Sequence, residues 1–197
     1  MTKGRLEAFT DGVLAIIITI MVLELKVPHG GSFEDLKSLL PVFLSYVLSF
    51  IYLAIYWNNH HHMMQTVKHV TGTILWANMH LLFWLSLVPF VTGWMGENHF
   101  TNASLFLYGV VLLGAAIAYF VLQNLIIKSH GDNSILKKAL GKDLKGKMSP
   151  VLYLLGISSS FISVWISGVL YIVVAIIWLI PDTRIEKTLK KERQMNH

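Results

Sequence analysis

The chain is 197 residues long, 54% hydrophobic and only 14% charged, a balance that a water-soluble domain of this size does not show and that marks an integral membrane protein. With no cysteine in the sequence, disulfide frameworks, thiolate metal sites and cysteine catalysis are excluded. The formal net charge of +5 does not point to nucleic acid, because the basic residues flank apolar runs and gather on no aromatic-interleaved face.

About 20 apolar residues cross a bilayer as a helix, and six such spans are expected within one all-α domain covering 1–197. The first runs over 8–27 and stops at Pro28 and His29-Gly30-Gly31. Two basic residues precede it, yet no small-residue cleavage site follows, so a retained helix is expected and not a signal peptide. Residues 32–40 read as a short amphipathic helix at the interface with Ser32 as N-cap. The second span, 41–59, ends in Trp57-Asn58-Asn59 and is followed by His60-His61-His62. The third, 72–95, carries Asn78, His80 and Pro89, and the fourth, 102–127, opens on Thr101-Asn102. A lysine-rich connector over 128–148 holds an amphipathic helix near Ser134 to Leu144. The fifth and sixth spans, 149–165 and 168–181, are expected to break around Ser167-Gly168 and are short for a full crossing. The basic tail, 182–197, reads as an interfacial or solvated helix end.

Six spans place all but Lys26 and Lys37 of the 16 lysines and arginines on one side, so both termini are expected to be cytoplasmic.

The first span has two unlike faces. At about 100° per residue, Ile16, Ile20, Leu23 and Val27 form one apolar stripe with Thr19 at its edge, and Asp11 points roughly 150° away. An intramembrane carboxylate needs partners. Candidates at comparable depth are Trp57, His60 and His61 on the second span, and Asn78 and His80 on the third. Arg5 is six residues from Asp11 and too far to pair with it within one helix. A metal site is disfavoured, because there is one histidine run with no second box, and adjacent helical residues diverge by about 100°. No haem signature, Gly-x-Ser-x-Gly, His-Glu-x-x-His, P-loop or Thr-Val-Gly-Tyr-Gly pore-loop filter is present. Three classes stay open on the residues: a channel, a proton-coupled secondary transporter using Asp11 and the histidines, and a histidine-metal membrane enzyme. The absence of a broken-helix pair and inverted repeat weighs against the transporter, and the single histidine box against the enzyme.

Arg5-x-x-x-Phe9-Thr10-Asp11, followed by an apolar helix with Thr19, resembles the Arg-x-x-x-Phe-Ser-Asp signature of the transmembrane protein 175 potassium channels, in their prokaryotic single-repeat branch. Thr10 replaces serine and keeps the hydroxyl. The resemblance extends over essentially the whole chain, through Trp57 and the histidine run to Asn78 and Pro89-Phe90. It implies a multi-pass protein of a prokaryotic cell membrane that assembles with three further copies of itself and passes potassium ions without cofactor, metal or enzymatic activity. It places the pore constriction on Ile16, Ile20 and Leu23, with Thr19 as a polar ring, and gives Arg5, Phe9 and Asp11 a structural role tying the first helix to the second and third.

Overall fold

The structure, a computed structural model, describes residues 2–131, 134–141 and 143–179 together with positions 188 and 194. Nearly all of the tail expected at 182–197 lies outside the described residues. The elements are α1 (Lys3–Leu23), α2 (Phe33–Lys37), α3 (Leu40–Gln65), α4 (Gly72–Ser86), α5 (Val88–Glu97), α6 (Asn102–His130), α7 (Ile135–Leu140), α8 (Leu144–Ser159) and α9 (Val164–Leu179).

Local chemistry sets the helix ends. α1 begins at Lys3, so Arg5 is already helical, and it ends at Leu23 with Glu24 as C-cap. Pro28 biases the residue before it towards extended backbone, and Val27, expected as the last member of the apolar stripe, lies beyond the helix. Ser32 and Asp35 form a reciprocal capping box that starts α2. The hydrogen bonds from Ser32 hold the Asp35 carboxyl below its ordinary range. That contribution to α2 is present above the unfolded carboxyl's value and is lost as pH falls through the lowered one.

α3 runs on past residue 59 to Gln65, so the histidine run is helical. The third span is two helices. Pro89 has no N–H to give to the Leu85 carbonyl, and the chain tightens through Leu87 N–H to Trp84 O (3.2 Å) before α5 resumes. Ser134 caps α7 by accepting from Lys137 N–H, and Gly141, at φ 56°, ends it short of Leu144. The last break falls at 160–163, where Ile162 and Ser163 N–H both reach Ser159 O. The expected breaker pair, Ser167 and Gly168, lies inside α9.

Among the described residues four units are long and apolar enough to cross a membrane: α1, α3, α4 with α5, and α6. α8 and α9 have 16 described residues each, about 24 Å at 1.5 Å per residue against a core of about 30 Å. Six full crossings are therefore more than these helix lengths establish.

Side-chain contacts give the direction of every neighbour. Trp57 meets Asp11, Asn78 meets Thr10 and Lys26 meets Glu97, so α3 runs antiparallel to α1 while α4 and α5 run parallel to it. Ser49 bonds Tyr108 and Trp178 bonds Ser149, which sets α6 parallel to α3 and makes α8 and α9 an antiparallel hairpin. The long elements thus alternate in direction through the bundle. Buried hydroxyls tie these helices to one another, as a lipid-facing fold favours. Tyr52 donates to Tyr171 O (2.5 Å), Tyr171 to Leu105 O (3.1 Å), and Thr92 to Ser49 Oγ (2.6 Å).

Two close approaches depend on glycine. A Cβ on Gly96 would fall 2.7 Å from Val42 Cα, so α5 and α3 cross almost backbone to backbone. At Gly114 a Cβ would lie 2.3 Å from the indole of Trp84. Gly to Ala inside a helix ordinarily gains about 0.5–1 kcal/mol, but here a rigid ring must be displaced. Gly114→Ala is expected to lose about 1–3 kcal/mol instead, read as a lower thermal midpoint in detergent.

Candidate functional site

α1 packs against α3, α4 and α5 with Leu6, Thr10, Leu14, Ile17 and Met21 turned inward. These positions recur at helical spacing and define its bundle face. The remainder stays outside. Ile16 is 61% exposed, Ile20 42% and Leu23 75%. Thr19 is also exposed, and its hydroxyl is satisfied by Ala15 O at 2.8 Å. α1 has the smallest buried share of the four membrane-length units. Its smooth apolar line is thus left largely exposed by the described residues of one subunit.

A buried chain of polar groups fixes the inward face. Asn78, 0% exposed, donates through Nδ2 to Thr10 Oγ1 at 2.9 Å. Its Oδ1 then accepts from His60 Nε2–H at 2.8 Å. Because the amide has one donor end and one acceptor end, this pairing places the His60 proton on Nε2. Thr10 (1% exposed) and His60 (3%) are therefore linked across α1, α4 and α3. Asp11 lies beside this chain, and Trp57 Nε1–H donates to its Oδ1 at 2.9 Å. The His61 ring stacks on Trp57 with centroids 6.1 Å apart, and His61 Nε2 accepts from the Gln65 amide at 2.9 Å.

Other expected members stand apart. His80 is exposed and accepts from Trp84 Nε1–H at 3.0 Å on its own helix. Two residues along a helix turn about 200°, so it faces away from Asn78. Arg5 and Phe9 are exposed on α1, and Arg5 makes no ion pair among the described residues. His62 points its Nδ1 into a buried position without a hydrogen-bond partner among the described residues. Among the described residues, Asp11 bonds Trp57, His60 belongs to the Asn78–Thr10 chain and His80 bonds Trp84, with no hydrogen bond joining the three groups. Among the described residues no three His, Asp or Glu side chains converge as a metal-binding group.

At the opposite end of α1, Lys26 reaches Glu97 at 2.6 Å and clamps the helix exit to α5. The hydrogen bond and the charge of Glu97 hold the Lys26 ammonium above its ordinary range. Its stabilising contribution is present below the unfolded ammonium's value and is lost as pH rises through the raised one. Glu97 was not singled out from sequence, although it is the carboxylate closing the third apolar run, where Lys26 needs a partner.

This arrangement has known relatives. The sequence pattern of the family described as "Endosomal/lysosomal potassium channel TMEM175" matches residues 5–89, the segment that contains the Thr10–Asn78–His60 chain and the Asp11–Trp57 pair. A potassium channel of Chryseobacterium sp. (strain P1-3) is 59% identical over 191 residues, 97% of this chain and 100% of the relative. The chain belongs to the TMEM175 family. A potassium channel of Chamaesiphon minutus is 33% identical over 183 residues, 86% of this chain and 90% of that one. The crystal structure of a lysosomal potassium-selective channel TMEM175 homolog from the same organism superimposes with a TM-score of 0.77 at 32% identity, covering 91% of this chain and 97% of the other. The TMEM175 likeness is therefore one of whole chains, and the all-helical bundle is the TMEM175 fold.

Proposed function

We propose that this TMEM175 chain is a potassium-selective channel of a prokaryotic cytoplasmic membrane, assembled from four copies around their α1 helices. Six crossings with both termini cytoplasmic suit the alternating helix directions and the lysine and arginine partition. The observation that carries the reading is the uncovered face of α1. One apolar line per subunit encloses a pore only when symmetry repeats it, and Ile16, Thr19, Ile20 and Leu23 then line that pore, with Ile16 at its narrowest ring. A ring of isoleucine replaces none of an ion's hydration shell, so passage depends on width and on how readily the ion sheds water. Potassium, the more weakly hydrated ion, passes more easily than sodium. Arg5, Phe9 and Asp11 act outside the pore as structural residues, and the Thr10, Trp57, His60 and Asn78 contacts hold the helix in place.

Purified protein in a planar bilayer, with potassium on one side and sodium on the other, is expected to give a reversal potential displaced towards potassium. Electrically silent protein that accumulates substrate only under a proton gradient would instead make this a proton-coupled transporter working through Asp11 and the histidines.

A further inference from the structure

α1 ends in a charge that its own helix chemistry disfavours. The carbonyl end of a helix carries partial negative charge and is stabilised by cations, yet the last turn of α1 holds no basic residue and its C-cap is Glu24. Glu24 keeps right-handed helical geometry at φ -71° and ψ -15°, so the helical angle still gives its direction. It falls about 80° from Ile16 and about 40° from Ile20, flanking the apolar line on the edge opposite Thr19. The helical rise sets it about 12 Å beyond Ile16 along the axis.

This charge is left unneutralised by its surroundings. Glu24 is exposed, and among the described residues its carboxylate joins no hydrogen bond or ion pair. Lys26 is committed to Glu97 at 2.6 Å, with the charge of Glu24 a lesser influence on it. Lys37 is taken by Glu34 at 2.8 Å. The helices that lead into the basic connector and tail end at the other end of the bundle. His130, closing α6, accepts from Lys68 N–H just beyond α3 (2.9 Å). α9 runs parallel to α6, since Tyr171 meets Leu105 and Trp178 meets Tyr119. The Glu24 carboxylate rests beside Gly93 of α5, where a Cβ would lie 3.9 Å from Oε2. It lines a groove of about 420 Å³ that Ile20 also lines, so the carboxylate and the apolar line open onto one volume.

We propose, resting on the pore reading above, that four Glu24 carboxylates form a ring at the mouth where α1 ends and concentrate potassium ahead of the isoleucine constriction. An isoleucine ring discriminates by dehydration and has nothing to attract an ion. Glu24 supplies the attraction, as carboxylate rings do in cation pores, and the four helix C-termini add their partial negative charge to it. An exposed carboxylate leaves the ion's hydration shell in place. It therefore raises the rate at which ions arrive and leaves the preference between potassium and sodium to Ile16.

The test is potassium current through the full-length channel in planar bilayers. Glu24→Gln is expected to lower conductance about threefold in about 10 mM potassium chloride, where charges act over about 30 Å, and to leave it nearly unchanged in about 1 M, where they act over about 3 Å. Taking the ratio of the two cancels differences in incorporation. The bi-ionic reversal potential should stay at the wild-type value. The thermal midpoint should hold or rise, because an anion has been removed from a helix C-terminus. The sequence has no cysteine, so Glu24→Cys offers one thiol for modification in channels already conducting. Sulfonatoethyl methanethiosulfonate is expected to restore the low-salt conductance, and its trimethylammonium counterpart to lower it further. Unchanged low-salt conductance in Glu24→Gln, or equal responses to the two reagents, would overturn the proposal and leave the pore reading standing wherever Ile16→Asn still abolishes selectivity. A reversal potential that moves as far in Glu24→Gln as in Ile16→Asn would place Glu24 in the constriction and overturn the proposal too. Wild-type protein that carries no current would overturn the pore reading and the Glu24 ring together.

Discussion

Ile16→Asn is expected to bring the potassium-to-sodium permeability ratio down to about one while raising conductance, because a ring of amides offers ligands to a hydrated sodium ion that a ring of isoleucines withholds. The measurement is a bi-ionic reversal potential for wild type and variant in the same bilayer. Stability is the control that separates a pore role from a packing role. Ile16 is 61% exposed, so its replacement removes little packing within the subunit and the thermal midpoint should hold. Leu14, two residues earlier and 2% exposed, is the mirror case. Leu14→Ala opens a cavity on the bundle face of α1 at a cost of about 2–5 kcal/mol, yet should leave the permeability ratio of the surviving channels unchanged. If Ile16→Asn kept the wild-type ratio, the constriction would lie elsewhere on the chain. If Leu14→Ala changed selectivity as strongly, the two faces of α1 would have been assigned the wrong way round.

The apolar stripe of α1 could be read from sequence because it is a local property. Spacing alone puts Ile16, Ile20 and Leu23 on one stripe with Thr19 at its edge, and the structure leaves them exposed; the buried face of Leu6, Thr10, Leu14, Ile17 and Met21 was not the face marked by Asp11, which is itself exposed. The Ser32 cap could be read for the same reason. What sequence misplaced depends on distant partners. Ser167-Gly168 looked like a helix breaker, but Ser167 is buried inside α9. The true turn contains Phe161 and Ile162, whose apolar side chains hid it within a hydrophobic run. His80 was grouped with Asn78 by depth when the helical angle between them already put them on opposite sides. Asp143 lay in a connector read only as lysine-rich. It caps α8 and accepts from the Gln123 amide on α6, a partner no local pattern joins to it.

The Thr10–Asn78–His60 chain carries the second large effect. Asn78→Leu keeps much of the volume and removes both ends of the amide, leaving the His60 Nε2–H and the Thr10 hydroxyl in a site where all three residues are at most 3% exposed. Each stranded group costs about 1–3 kcal/mol, so a loss of about 2–5 kcal/mol is expected in detergent unfolding. Stranding also predicts a particular non-additivity. Thr10→Val alone strands the Asn78 Nδ2–H. In the double variant Thr10→Val, Asn78→Leu, only the His60 N–H is left unpaired, so the double variant should be more stable than the sum of the two losses predicts, by about 1 kcal/mol or more. Additive losses would mean that the two residues act through packing and not through the hydrogen bond between them. Thr10 and Asn78 lie on α1 and α4, so the coupling energy measures directly how firmly the bundle holds the helix whose outer face is assigned to the pore. Loosening it should broaden the distribution of open-channel currents, whereas Leu14→Ala, which opens a cavity without stranding a polar group, tests whether packing loss alone does the same.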